Sequence, residues 1–217
     1  MAETKSMFET VGTGKLPPGL VLHTLRSEPR IFVVYKFLGD KECEHMINLV
    51  KDNLKQSSTV DADTGEQLVN DNRTSKSCFL KLGCDEVVAT IEKRIEDLIC
   101  LPARHGDQFN VLRYQVGQEY GAHDDFFDPA LPGVAATLKE RGQRFLTLLL
   151  YLNTVQSGGE TIFPKVGFEF PPVKGSILIF YNVLSDGNID RLSRHGSTPV
   201  KAGEKWVATK WIRQYGD

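Results

Sequence analysis

From residue 105 onward the chain repeats one pattern: strand-length apolar runs set apart by Gly, Pro, Asn and Asp. The runs are Phe109–Val116, Phe145–Leu152, Ser176–Asn182 and Lys205–Arg213. Parallel strands need a crossover between them, usually a helix, and no strand–helix–strand alternation is present. The pattern therefore predicts a mainly β, antiparallel sandwich or barrel of the jelly-roll class. Its longest apolar run, Phe145-Leu-Thr-Leu-Leu-Leu-Tyr-Leu152, is far short of the roughly 20 residues needed to span a bilayer. It reads as a buried strand. Asp128–Arg144, with two prolines, two glycines and several charges, reads as a long loop or lid.

The first half reads differently. Ile31–Leu38 is β-branched and aromatic and stops at Gly39-Asp40, where an Asp can cap a helix. Cys43, Met46, Ile47, Val50 and Leu54 then recur at i, i+3, i+4, i+7 and i+11, one helical face. A second helix follows Asp85, with Val88, Ile91, Ile95, Leu98 and Ile99 inward and Glu92, Lys93, Glu96 and Asp97 outward. It ends before Pro102. Both amphipathic helices are expected to pack on a sheet. Residues 1–25, with Gly12, Gly14, Pro17, Pro18 and Gly19, read as a flexible arm, leaving 26–217 as a single domain. Gly12-Thr-Gly14-Lys15 is not a phosphate loop, since it lacks a preceding strand, the four-residue spacer and a Ser or Thr after the Lys.

The composition suits one compact core: 217 residues, 41% hydrophobic and 25% charged. With 26 basic and 28 acidic side chains the net charge is −2, which argues against a strongly electrostatic partner such as nucleic acid or an anionic membrane surface. Four cysteines without a C-x-x-C pair give neither a disulfide scaffold nor a thiolate zinc site. The opening Met-Ala-Glu-Thr-Lys-Ser-Met-Phe lacks a basic segment followed by an apolar one. These features lead to the expectation of a cytoplasmic protein, or of the endomembrane lumen if the natural chain carries a further N-terminal segment.

The chemistry-bearing residues lie in the β-rich half. On a strand, side chains two apart share a face, so His123 and Asp125 would aim an imidazole and a carboxylate at one point. That is half of a metal site, although an H-x-D pair also serves as an ordinary surface hydrogen bond. Of the other histidines (His23, His45, His105, His195), only His195 has a flanking turn and strand within the β-rich half. Two His and one carboxylate would leave Fe(II) with a site charge of +2 − 1 = +1 and open positions for an anionic chelating cosubstrate and O₂.

At this level of detail the sequence resembles the Fe(II)/2-oxoglutarate dioxygenases, and among them the prolyl 4-hydroxylases. The motifs run in order from about Leu25: Ser27-Glu-Pro-Arg30, Arg73-Thr-Ser75, Tyr114-Gln-Val-Gly117-Gln-Glu-Tyr120-x-x-His123-x-Asp125-Phe-Phe127, Tyr151-Leu-Asn153, Gly158-Gly-Glu-Thr161-x-Phe-Pro164, His195-Gly196 and Lys205-Trp206-x-x-Thr-Lys-Trp211. The resemblance implies a double-stranded β-helix core with His123, Asp125 and His195 as iron ligands. It implies that Lys205 binds the distal carboxylate of 2-oxoglutarate and that Tyr114, Tyr151, Thr161 and Trp206 complete the cosubstrate pocket. Tyr120, Arg144 and Trp211 match the family's peptide groove. Lys205 and Trp211 are six apart, so a regular strand puts both on one face. Arg144 and Tyr151 are seven apart, so Arg144 is expected at an irregular start of its strand. No Cys follows the distal His, where the segment is His195-Gly-Ser-Thr198-Pro199, so no disulfide forms there.

The activity so implied is hydroxylation of peptidyl proline at C4 with O₂ and 2-oxoglutarate, giving succinate and CO₂, with ascorbate as supporting reductant. The expected partner is a proline-containing peptide or protein, with no nucleic acid and no membrane; monomer and homodimer stay open. Three other readings compete. A nucleic-acid demethylase of the same superfamily would show a basic stripe, and a non-catalytic proline-rich-peptide binder need not keep the triad. A metal hydrolase or zinc module would carry H-E-x-x-H, G-x-S-x-G or a Cys cluster, which the sequence lacks.

Overall fold

In the computed structural model, which describes residues 14, 16–60, 67–69 and 71–216, the chain forms two large antiparallel sheets and two small two-stranded ones, with two helices packed on one outer face. In chain order the strands of the two larger sheets are β1 (Leu22–Arg26), β2 (Ile31–Val34), β3 (Lys55–Gln56), β4 (Lys76–Leu80), β5 (Phe109–Tyr114) and β6 (Tyr120–His123). They continue with β7 (Arg144–Tyr151), β8 (Thr161–Phe163), β9 (Phe168–Phe170), β10 (Ile177–Tyr181), β11 (His195–Ser197) and β12 (Lys205–Arg213). The helices are α1 (Asp40–Val50), α2 (Glu86–Ile99) and α3 (Ala135–Arg141). The major sheet runs β1-β2-β10-β7-β12-β5-β4-β3 and the minor sheet β9-β8-β11-β6. This mainly β, jelly-roll arrangement is the class the run pattern predicts.

The central strands of the major sheet are buried on both faces, which is why they read as continuous apolar runs rather than alternating ones. On β7, Leu146, Leu148 and Leu150 join the core beneath α1 and α2, while Leu149 and Tyr151 join the core between the sheets. On β12 the same alternation sends Trp206, Ala208 and Ile212 to the helix side and Val207 to the other.

Several boundaries differ from the sequence reading. β2 stops at Val34 because the chain turns at Lys36, whose φ is +57°; Phe37 and Leu38 still enter the core, which extended the apparent run. Gly39, not Asp40, is the N-cap of α1, its N–H held by Glu42 Oε2 at 2.8 Å. Leu54 lies beyond that helix but packs against the same core. Leu22–Arg26, whose first four residues fall in the expected arm, is a strand paired with β2; residues 1–13 and 15, including most of the Gly12–Lys15 segment, lie outside the described residues. Asp128–Arg144 is no featureless loop, since it contains the 3₁₀ turn Pro132–Val134 and α3.

Helix α2 starts as predicted, with Asp85 as N-cap and its Oδ1 accepting from the Val88 N–H at 2.9 Å. Asp85→Ala is expected to cost about 1 kcal/mol, seen as a lower urea midpoint with unchanged slope. One outward assignment on this helix fails. Glu92 is buried, because Lys210 Nζ donates to its Oε1 at 2.8 Å and the Gly83 N–H to its Oε2 at 2.9 Å. A buried carboxylate tied to a buried ammonium has the partner that burial of a charge requires. No described helix is long and apolar enough to cross a membrane.

Candidate active site

The site lies between the two sheets, where β6 and β11 pair. His123 and His195 are direct cross-strand partners in that pairing, so two histidines 72 residues apart in sequence stand side by side, ring centroids 4.4 Å apart. Gly196 permits the approach, since a Cβ there would sit 2.8 Å from the Tyr120 carbonyl oxygen. Asp125 lies just past the end of β6, so the shared-face argument for H-x-D does not apply strictly. The turn after His123 still brings the carboxylate in, with Oδ1 3.6 Å from His123 Nε2 and Oδ2 3.5 Å from His195 Nε2. One donor atom from each of the three lies within 4.8 Å of the others, the one such His/Asp group of three or more among the described residues.

The surrounding bonds prepare these atoms for a cation. Nδ1 of His123 contacts the Gly121 carbonyl at 2.9 Å and Nδ1 of His195 the Ser193 carbonyl at 3.1 Å. A carbonyl only accepts, so each ring carries its proton on Nδ1 and leaves the Nε2 lone pair facing the centre. Thr147 Oγ1 donates to Asp125 Oδ2 at 2.7 Å and receives Asn182 Nδ2 at 2.8 Å, fixing the carboxylate. Burial, reinforced by repulsion from His195, lowers the His123 pKa to about 3. Burial pushes Asp125 upward, but His195, His123, Arg144 and the Thr147 hydrogen bond outweigh it and lower the pKa to about 2. Ionised carboxylate beside neutral imidazole is the protonation a divalent metal requires, so the donor set fits iron.

Deeper in the cavity lies Lys205, 2% exposed, on the same face of β12 as Val207, Thr209 and Trp211. Its Nζ donates to Ser197 Oγ at 2.8 Å and stands 5.4 and 5.8 Å from the Tyr114 and Tyr151 ring centroids. No described carboxylate lies within 4.0 Å of it. Burial lowers its pKa to about 7, with only Glu160 acting the other way. A buried ammonium with one neutral hydroxyl partner is a site for an anion. Tyr114, Thr161 and Ser197 line this cavity with Lys205. Tyr151 stands behind it, its phenol 2.7 Å from Thr161 Oγ1.

Trp206, assigned to the cosubstrate pocket, lies elsewhere. It is adjacent to Lys205 on a regular strand and so points to the opposite face, where its Nε1 donates to Glu204 Oε1 at 2.8 Å.

A groove leads outward from the triad, and Tyr120, Arg144 and Trp211 all line it. Tyr120 stacks on His123 at 3.6 Å between ring centroids, and the Arg73 guanidinium stands 4.6 Å from the Tyr120 ring centroid. The register between β7 and β12 shifts at Arg144, which pairs with Arg213 while Leu146 pairs with Ile212. That bulge is the irregular start that seven-residue spacing demands, and it turns the Arg144 guanidinium over the Trp211 ring at 3.9 Å. The site residues without an assignment in the sequence reading are Arg73, Thr147, Asn182, Ser197 and Asp107, which lines the groove with its Oδ2 3.6 Å from Arg144 Nε. Thr147 left a signal, a hydroxyl inside an otherwise apolar run.

Comparisons with known proteins agree with this geometry. Residues 109–213 match the 2OG-Fe(II) oxygenase superfamily. Prolyl 4-hydroxylase 2 of Arabidopsis thaliana is 41% identical over 207 residues, covering 86% of this chain and 68% of that protein. Probable prolyl 4-hydroxylase 3 of the same plant is 39% identical over 204 residues, covering 85% and 69%. Among solved structures, the 2OG complex of viral collagen prolyl hydroxylase from Paramecium Bursaria Chlorella virus-1 superposes with a TM-score of 0.66 at 28% identity, covering 84% of this chain and 95% of that one. The fold and site define a 2-oxoglutarate-dependent oxygenase. Within that class, the chain belongs to the prolyl 4-hydroxylase family.

Proposed function

We propose that this protein hydroxylates peptidyl proline at C4, with Fe(II) held by His123, Asp125 and His195 and the distal carboxylate of 2-oxoglutarate held by Lys205. The observation that carries the reading is the buried ammonium of Lys205 in the cavity that holds the triad. It would answer the free end of a diacid whose other end chelates the metal. Iron with 2-oxoglutarate supplies the oxidising chemistry: O₂ gives one atom to the proline and one to succinate, and CO₂ leaves.

The chain's own groups bind, orient and exclude water. Ser197 shares the distal carboxylate with Lys205, and Thr161 and Tyr114 line the same wall. Leu112, Leu149 and Val207 make the rest of that wall apolar, which keeps water from the reacting centre. Outside, the Trp211 ring supports the Arg144 guanidinium stacked over it, and that guanidinium offers donors to the carbonyls that a polyproline II chain leaves unpaired. Ascorbate belongs to this reading as the reductant that restores Fe(II), and the substrate is a proline-containing polypeptide. The negative net charge gives no support to a nucleic-acid substrate. The expected location remains the cytoplasm, on the composition alone.

Two measurements test this reading. Peptide-dependent succinate release from Fe(II), 2-oxoglutarate and a proline-rich peptide distinguishes the enzyme from a silent binder. Arg144→Ala should raise the peptide KM about tenfold while slow peptide-independent decarboxylation continues. A parallel fall in Tm and in both reactions would instead make Arg144 structural.

A further inference from the structure

We infer a second substrate contact, away from the iron site: Phe79, with Asn110 beside it, binds a segment of the polypeptide about four residues from the proline being hydroxylated. This rests on the proline-hydroxylase reading above and extends it.

The groove that begins at His123 and Asp125 does not stop at Trp211 but continues over β5 and β4, where Ser77, Phe79 and Asn110 line it. The register makes one row across four strands: Leu149 pairs with Thr209, Thr209 with Asn110, and Asn110 with Phe79. Leu149 lies in the wall of the triad cavity, so the row runs from the reacting centre outward. Phe79 ends it 56% exposed, a large aromatic side chain in a groove continuous with the catalytic one. Asn110 is 2% exposed, and its Oδ1 has no hydrogen-bond partner.

Each feature suits an extended, proline-rich chain. Three strand spacings make roughly 14 Å, which a polyproline II chain at 3.1 Å per residue crosses in about four residues. A proline ring there would cover the exposed face of Phe79, the large side chain that ends the row. The ligand is thus a repeated proline-containing sequence rather than an isolated proline.

The experiment compares KM for a short peptide centred on one proline with KM for the same sequence extended by about six residues on each side, in the wild-type protein, Phe79→Ala and Phe79→Trp. Phe79 is exposed, so neither change threatens folding. The wild-type protein should bind the extended peptide about fivefold more tightly, the worth of one aromatic contact. Phe79→Ala should bring the ratio of the two KM values close to one, and Phe79→Trp should restore it. If Phe79→Ala keeps the wild-type ratio, or if the wild-type protein shows no length dependence while hydroxylating both peptides, the second contact is overturned and the hydroxylase reading stands. If the wild-type protein hydroxylates neither peptide, both fall together.

Discussion

His195→Ala is expected to abolish iron binding and reduce turnover to background. His195 supplies one of three metal-facing donors, is 4% exposed, and packs against Phe180 at 4.5 Å between ring centroids. No other described His, Cys, Asp or Glu joins the cluster to replace it. The loss should appear in two independent readouts: iron content after gel filtration, and succinate formation with saturating 2-oxoglutarate. A far-ultraviolet circular dichroism spectrum like that of the parent would tie both to the site rather than to unfolding. A His195→Ala protein that retains stoichiometric iron and normal hydroxylation would contradict the assignment.

Lys205→Ala should leave iron content nearly unchanged while raising the KM for 2-oxoglutarate by about 10²- to 10³·⁵-fold, the equivalent of the 3–5 kcal/mol lost when one partner of a buried ion pair is removed. Lys205→Arg should not restore the site, because a planar guanidinium fork differs from a compact ammonium. The same lysine sets a pH dependence. In the empty site burial depresses its pKa to about 7. An anionic ligand favours the charged form and raises that pKa. Below pH 7 the empty protein already carries the charge. Above it, binding must take up a proton, so affinity for 2-oxoglutarate falls as pH rises from 7 toward 9. Calorimetry in buffers of different ionisation enthalpy should register that proton uptake above pH 7 and little of it below. Affinity that is flat over this range would remove Lys205 from the cosubstrate site.

Local pattern and long-range pairing were not equally legible in the sequence. The strand runs on β5, β7, β10 and β12 and the capped helix α2 follow from period and punctuation, which are local properties. The even spacing of Lys205 and Trp211 correctly put them on one face, and the odd spacing of Lys205 and Trp206 carried the information that Trp206 points away. Motif adjacency led to the opposite assignment. The pairing of β6 with β11 was not local information. No periodicity shows that His123 opposes His195; the placement of His195 in the β-rich half and the order of the motifs suggest only that they meet. Glu92 was misread for a related reason, since a charge on a helix appears solvated until the lysine that reaches it, 118 residues later, is placed. Thr147 and Lys210, polar residues inside apolar strands, were the visible signs that hydrogen-bonded groups lay beneath the sheet's surface.

Transfer of one oxygen atom from O₂ to C4 of a peptidyl proline is the reaction proposed for this cavity. Its most direct test is mass spectrometry and amino-acid analysis of a proline-rich peptide after incubation with the protein, Fe(II), 2-oxoglutarate, ascorbate and isotopically labelled O₂. The account predicts a peptide heavier by one labelled oxygen, 4-hydroxyproline in its hydrolysate, and one succinate for each oxygen transferred. Succinate formed without any oxygen on proline, or oxygen found on a different side chain, would contradict it.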